Sequence, residues 1–350
     1  MASEELSKRE RWVLEAVIRS YVETAEPAGS RTLSRRFGLG VSPATIRNTM
    51  SDLEEKGYLY HPHTSAGRIP TDKAYRLYVD SLLDIPPVIS ADKTKLTEQI
   101  VGGSGASSPI EAILRRAAQT LGVLTQELGV ALGPRVDQAV LRRLELVRVS
   151  SERLLMVLTL EGGVMRTVFV EVPGEIAEDA VGQVTAVLND RLGGLTLGEI
   201  RRSLSTRLRD SSADRNASEL LNIFVQEGDQ LFDPGLPMTE GPVVLGAASV
   251  LAEQPEFAAA EGMRRLIALT ERPHALGDAI RKRAQAPGIS ITIGAEHDDP
   301  TLDEFTVVTA EYHVGSLAGV IGVIGPTRMP YDKVISLVSH TSRLLSDLLD

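Results

Sequence analysis

Apolar positions in residues 8–24 recur at helical spacing, with Leu14, Val17, Ile18 and Tyr21 falling at i, i+3, i+4 and i+7. Glu26-Pro27 closes that helix. Ser30 opens a shorter one, in which Leu33 and Phe37 lie one turn apart. Gly38-Leu39-Gly40 then predicts a tight turn, because glycine tolerates positive φ. Ser42-Pro43 predicts a new helix start, with serine as the cap and proline at the first helical position. This third helix is expected to run to about Lys56, and Gly57 stands where a C-terminal glycine belongs. Its Ile46, Met50 and Leu53 share one stripe, while Ala44, Asn48 and Ser51 lie opposite, flanked by Thr45 and Arg47. Residues 58–60 and 68–70 read as two short strands around a turn, which is a wing. A fourth helix follows from about Thr71, with Tyr75, Tyr78, Val79 and Leu82 on one face.

Regular patterning breaks at 84–87 and again at 102–109, where glycine and serine give a linker composition. A helix is expected from about Ile110 to Leu132, striped by Ile113, Leu114, Ala117, Leu121, Leu124 and Leu128. Residues 140–149, 153–160 and 164–172 read as strands, the last two joined at Gly162-Gly163. Residues 175–232 read mostly as helix. Helical segments then continue after Gly241 to about 286, and strands are expected at 289–293, 305–312 and 317–324. The final helix, 331–349, carries Val334, Leu337, Val338, Thr341, Leu344, Leu345 and Leu348 on one face. Such a helix suits core packing or a dimer interface. Strands on both sides of a helical stretch suit one α+β domain with an insertion.

The 350 residues allow two or three domains. Aromatic residues are only 4% of the chain, so its cores must rest on Leu, Val, Ile and Ala. There is no run of about 18 apolar residues and no apolar signal core at the N-terminus, so a cytoplasmic protein is expected, with no membrane partner. The absence of cysteine excludes disulfides, thiolate metal sites and a cysteine nucleophile.

The net charge of -10 is unevenly placed. Residues 1–80 carry 12 basic and 11 acidic side chains, and residues 28–51 carry four arginines (Arg31, Arg35, Arg36, Arg47) and no acid. Phosphate binding needs a local basic face rather than a basic whole protein. The outer face of the third helix is small, polar and cationic. That suits a major groove, where arginine pairs bidentately with guanine and asparagine with adenine. Ala44, Thr45, Arg47 and Asn48 are the candidate base readers, with Ser51 on the same face. Arg31, Arg35 and Ser42 are candidate phosphate contacts, and His63, Thr64, Ser65 and Arg68 are candidates for phosphate or minor-groove contact through the wing. The same pattern also suits an ordinary three-helix bundle with solvated arginines and a plain hairpin.

Catalytic signatures are missing: no phosphate loop with its lysine, no G-x-S-x-G and no H-E-x-x-H. Glu296-His297-Asp298-Asp299, with His313, reads as a solvated loop or a metal site, although adjacent residues cannot all face one ion. Gly325-Pro326-Thr327-Arg328 reads as a strand-to-helix turn held by Arg328, or as an effector contact. No catalytic residue, cofactor or metal ligand is assigned.

Three separated motifs resemble one family. They are Ser42-Pro43-Ala44-Thr45-Ile46-Arg47-Asn48, the run 62–71 (Pro62-His63-Thr64-Ser65-Ala66-Gly67-Arg68-Ile69-Pro70-Thr71) with Tyr75-Arg76-Leu77-Tyr78-Val79-Asp80 after it, and Gly325-Pro326-Thr327-Arg328-Met329 followed by Tyr331. In content and order they resemble the heat-inducible transcription repressors of the HrcA type. The resemblance implies a homodimeric repressor on double-stranded DNA, at an inverted-repeat operator upstream of chaperone genes, with activity maintained by the GroE-type chaperonin. It implies an α+β fold: a winged-helix DNA-binding domain (1–84), a linker (85–109), a GAF-like domain in two parts (110–174 and 246–350), and a mostly helical dimerisation domain inserted at 175–245. The chain departs from the family pattern at Thr49 and Lys56, on the helix expected to read bases. Dimerisation is also expected physically, since pairing two weakly binding heads on a palindrome gives avidity. The alternative is a regulator gated by a small ligand held in the GAF-like domain. An enzyme with a DNA-binding appendage is a third reading.

Overall fold

The computed structural model describes residues 6–62, 67–82, 90–101, 109–134, 136–161, 165–172, 174, 177–208, 215–232, 243–283, 288–315 and 317–349. The N-terminal unit begins with α1 (Lys8–Thr24), opened by a capping box in which Ser7 Oγ accepts from Glu10 N at 3.3 Å and the Glu10 carboxylate accepts from Ser7 N at 2.8 Å. Next comes α2 (Ser30–Phe37), and the turn to α3 (Pro43–Glu55) uses Gly38 and Gly40 at φ +56° and +66°. Ser42 Oγ caps α3 by accepting from Thr45 N at 3.2 Å. β1 (Leu59–Tyr60) and β2 (Ile69–Pro70) pair antiparallel, Leu59 opposite Pro70. Helix α4 (Asp72–Ser81) is capped by Thr71. Val13, Val17, Leu33, Ile46, Leu53 and Leu59 fill the centre of this head. All these elements stand where the hydrophobic spacing placed them.

The body is built on a five-stranded antiparallel sheet. α5 (Ser90–Val101) and α6 (Pro109–Thr125) precede its first strand, β3 (Leu128–Leu132). An excursion follows: β4 (Leu141–Ser150), β5 (Arg153–Leu160), β6 (Met165–Glu171), α7 (Glu178–Leu192), α8 (Leu197–Leu208) and α9 (Arg215–Leu231). The chain then returns through β7 (Val243–Leu245), α10 (Ser249–Ala252), α11 (Ala260–Glu271), α12 (Pro273–Arg283), β8 (Ile289–Ile293), β9 (Phe305–Val314), β10 (Leu317–Pro326) and α13 (Tyr331–Leu349). The sheet order is β7-β3-β10-β9-β8. Its two faces alternate: Val308, Ala310, Tyr312, Ile321 and Val323 face α6 and α13, and Phe305, Val307, Val320 and Ile324 face α10–α12. α13 therefore serves as core packing, with Val334, Leu337, Val338, Thr341 and Leu345 buried and Leu348 more than a third exposed.

Three expectations are corrected. The helix expected from 110 to 132 ends at Thr125, whose hydroxyl turns back to Leu121 O at 2.7 Å, and Gln126 then takes a left-handed conformation (φ +63°). Leu128–Leu132 is a strand buried at all five positions. Covered on both faces, it shows no alternation, so its apolar run is indistinguishable from a continuing helix. The three-residue β7 escaped for the same reason of brevity. Secondly, 140–172 does not belong to the body's sheet. β4, β5 and β6 pair with one another and are covered on one face by α7–α9, around Leu144, Leu154, Met156, Leu158, Val170, Val184, Leu188, Ile200 and Phe224. The Asn189 amide locks the two layers together, accepting from Leu144 N at 2.9 Å and donating to Leu144 O at 2.7 Å. The inserted unit therefore begins before β4, not at 175. Thirdly, 85–109 is not all linker: α5 lies within it, burying Leu96 and Ile100 against α6, while 85–89 and 102–108 lie outside the described residues.

Candidate nucleic-acid interface

Helix α3 presents the two faces its sequence implied. Ile46, Met50 and Leu53 are buried, while Ala44, Arg47 and Asn48 are exposed and Thr45 and Ser51 are half-exposed. Two of the polar groups are satisfied within the helix: Ser51 Oγ donates to Arg47 O at 3.3 Å, and Thr45 Oγ1 lies 3.0 Å from Ser42 Oγ. Arg31, Arg35 and Arg47 are exposed and form no ion pair among the described residues. Arg36, the fourth arginine of the acid-free stretch, is taken up by Glu23 on α1. What remains is an outer face of α3 with the uncommitted Arg47 and an exposed asparagine, and two further uncommitted guanidiniums, Arg31 and Arg35, on α2. These can donate to acceptors on base edges and neutralise phosphates.

The β1–β2 hairpin, expected as a wing, differs from its sequence reading. His63, Thr64 and Ser65 lie outside the described residues. Arg68 is turned inward, its side chain only 13% exposed. Its Nη2 pairs with Glu54 Oε2 at 2.7 Å, Nη1 meets His61, and its backbone exchanges hydrogen bonds with Ala28 at 2.9 and 3.0 Å. Arg68 therefore ties the base of the β1–β2 hairpin to the end of α3 and to the loop before α2. The spacing that made it look like a loop-tip cation could not show the Glu54 carboxylate across from it. Thr49 and Lys56 also lose their expected bearing on base reading. Thr49 is buried, donating to Thr45 O at 3.1 Å, and Lys56 is the C-cap residue of α3, paired with Glu10 at 2.8 Å.

The two remaining sequence candidates are structural. Arg328 donates bidentately to Glu256 at 2.5 and 3.0 Å and to Val22 O, in the last turn of α1, at 2.8 Å. Gly325 faces the carboxylate of Glu127, which any side chain there would strike. Burial pushes Glu127 well above the usual carboxylate range, and a hydrogen bond from Gln254 Nε2 at 3.2 Å pulls the other way. Glu296 accepts from Arg76 Nε at 2.7 Å, Arg76 Nη2 at 2.5 Å and Ile293 N at 2.9 Å. Burial works to raise this carboxyl, but those donors hold it below the ordinary value. Among the described residues no group of histidines and carboxylates is arranged to hold a metal ion. The attachments of the head to the body, through Asp72, Arg76 and Arg328, were not foreseen, and no spacing in the chain signals them.

A compact head with exposed, uncommitted arginines on α2 and α3, carried on an α+β body, suits a transcription regulator. Comparison with known proteins makes this specific. Residues 111–335 match the family model described as the HrcA protein C terminal domain. The heat-inducible transcription repressor HrcA of Chlorobium phaeobacteroides (strain BS1) is 39% identical over 356 residues, covering 100% of both chains. That of Geobacter sulfurreducens is 36% identical over 347 residues, covering 99% of each. A solved structure described as a hypothetical protein superposes with a TM-score of 0.61 at 23% identity, covering 99% of each chain, which shows the shared fold. The chain belongs to the HrcA family of heat-inducible transcription repressors. Among the described residues no helix is long and apolar enough to cross a membrane.

Proposed function

We propose that this protein is a homodimeric repressor of chaperone genes that binds an inverted-repeat operator through a winged helix formed by its head. The observation that carries this reading is the outward face of α3, where Ala44, Arg47 and Asn48 stand exposed, together with the exposed Arg31 and Arg35 of the preceding α2, in a stretch of chain that holds no acid. Arg47 and Asn48 are positioned to read bases, Arg31 and Arg35 to meet phosphate. Ala44 and Thr45 offer methyl contacts to thymine. Family membership supports a GroE-type chaperonin as modulator and a GAF-like reading of the five-stranded body.

Dimerisation is supported by the inserted unit. The face of its sheet turned away from α7–α9 carries an apolar row in register, Val147 opposite Leu155 and Leu155 opposite Phe169. Phe169 is 54% exposed and Met165 71% exposed. An apolar sheet face of this kind fits a second copy related by a twofold axis.

A gel-shift series with single-base operator changes tests the first part. Arg47→Ala should cost about 1–3 kcal/mol and relax preference at one base pair of each half-site. Unchanged affinity and preference would remove α3 from base reading. For the dimer, Phe169→Glu should shift the sedimenting species to half its mass, and an unshifted dimer would place the interface elsewhere.

A further inference from the structure

The recognition surface on α3 is fastened to the body through a short rigid chain of contacts. Immediately beyond α3, Tyr58 O accepts from Thr71 N at 3.0 Å, Gly57 O accepts from Thr71 Oγ1 at 2.8 Å, and Lys56 O accepts from Lys73 Nζ at 2.8 Å. The end of α3 and the start of α4 therefore move together. One turn apart on α4, Asp72 and Arg76 then grip the turn that follows β8. Asp72 Oδ2 accepts from Ala295 N at 3.0 Å. Arg76 donates to both carboxylate oxygens of Glu296, at 2.7 and 2.5 Å, and to Ile291 O at 2.7 Å. Gly294, at φ +49°, lies so close under Asp72 that a side chain there would strike its carboxylate. Around this grip the junction is apolar except at Arg328, whose Nη1 donates to Val22 O in α1 at 2.8 Å; Tyr75 packs on Tyr331 at 5.7 Å between ring centroids, and the buried Tyr75 hydroxyl finds no partner among the described residues.

Apolar contact is non-directional, and the single bond from Arg328 to Val22 O is one point of attachment, so these hold the head near the body without fixing its rotation. A bidentate guanidinium–carboxylate pair with a carboxylate–amide bond one turn away is directional, and fixes that rotation. We infer that Asp72, Arg76 and Glu296 are positioning residues that set the orientation of each recognition helix on the body, and through it the half-site spacing that a dimer accepts. This rests on the dimeric operator-binding reading. None of the three belongs to the DNA-contacting face.

The test uses the full-length protein and three kinds of duplex: a single half-site, the natural operator, and operators with two base pairs added or removed between half-sites. Two base pairs rotate one half-site by about 70° relative to the other. A rigid dimer then seats only one head and loses the gain from pairing, more than about tenfold. The wild type is expected to show that loss. Glu296→Gln is expected to bind the shifted operators within about threefold of the natural one, with half-site affinity unchanged. Arg76→Lys, which keeps the charge and loses the bidentate geometry, should behave alike and serves if the first variant folds poorly. A spacing profile in Glu296→Gln and Arg76→Lys that coincides with the wild type overturns the inference, as does a wild type that binds every spacing equally. A wild type that binds neither the natural operator nor the half-site overturns the reading of α3 itself, and with it this inference.

Discussion

Arg35 and Arg68 are both cations of the head, yet their substitution is expected to act on different quantities. Arg35 is exposed and unpaired among the described residues, whereas Arg68 is 13% exposed and bound to Glu54, itself 34% exposed. Each phosphate neutralised contributes about 0.9 to the slope of log affinity against log salt. A dimer carries Arg35 twice, so Arg35→Ala should lower the slope by about 1.8. Between about 50 and about 200 mM salt, the variant should then lose about 12-fold less affinity than the wild type. Arg68→Gln removes no phosphate contact. It deletes a hydrogen-bonded ion pair whose carboxylate remains partly solvated, at a cost of about 1.5 kcal/mol, the low end for hydrogen bonds to charged groups. That cost should appear in the urea midpoint of the head and as a salt-independent loss of affinity. Fluorescence anisotropy on a labelled operator across a salt series, beside urea melts, measures both. If Arg68→Gln flattens the slope as much as Arg35→Ala, the guanidinium leaves Glu54 for a phosphate, and the wing assignment given above is wrong.

Two further predictions concern the scaffold. Gly129 faces α6 so closely that a Cβ would lie inside the radius of Ala118 O, a backbone atom that cannot step aside. Gly129→Ala should therefore destabilise the body by about 3 kcal/mol, read as a lowered thermal midpoint; a melt within a degree of wild type would refute the close approach of α6 to β3. Glu10 is held down to about 2, first by its hydrogen bond from Lys56 and then by the Ser7 hydroxyl and amide. A folded value below the unfolded value of 4.5 means stability that is fully present above about 4.5 and lost as pH falls toward about 2. Glu10→Gln should thus lower the urea midpoint at pH 6, with the gap to wild type closing by about pH 2; a gap that does not change with pH would refute the pairing.

The head was legible in the chain because each of its devices is local. Ser42 caps and Pro43 starts α3 within three residues, Gly38 and Gly40 supply the left-handed turn, and the stripe of Ile46, Met50 and Leu53 identifies the buried face directly. The uncommitted cations were equally legible at Arg31, Arg35 and Arg47. Arg36 and Arg68 were not, because their partners Glu23 and Glu54 are 13 and 14 positions away and only folding brings them together. In the inserted unit, β4, β5 and β6 were visible one by one as strand-like runs, but not the sheet they belong to. Pairing is a long-range choice, and nothing within a strand names its neighbour.

The amino-acid sequence by itself determined the elements with one wet face and one dry face, the acid-free cationic stretch across α2 and the start of α3, and the family, through three short motifs. Amphipathic periodicity and capping are written in residues a few positions apart, so no tertiary information is needed to read them. Only the tertiary structure decided which elements share a sheet, that β3 is a strand despite its continuous apolar run, and that Arg68 faces inward. It alone decided how the head is held. Asp72 meets Ala295, Arg76 meets Glu296 and Arg328 meets Val22 across more than 200 residues of chain. Contacts of that range are set by how whole layers pack, and the side chains that make them look, in sequence, like any other charged residues on an exposed turn.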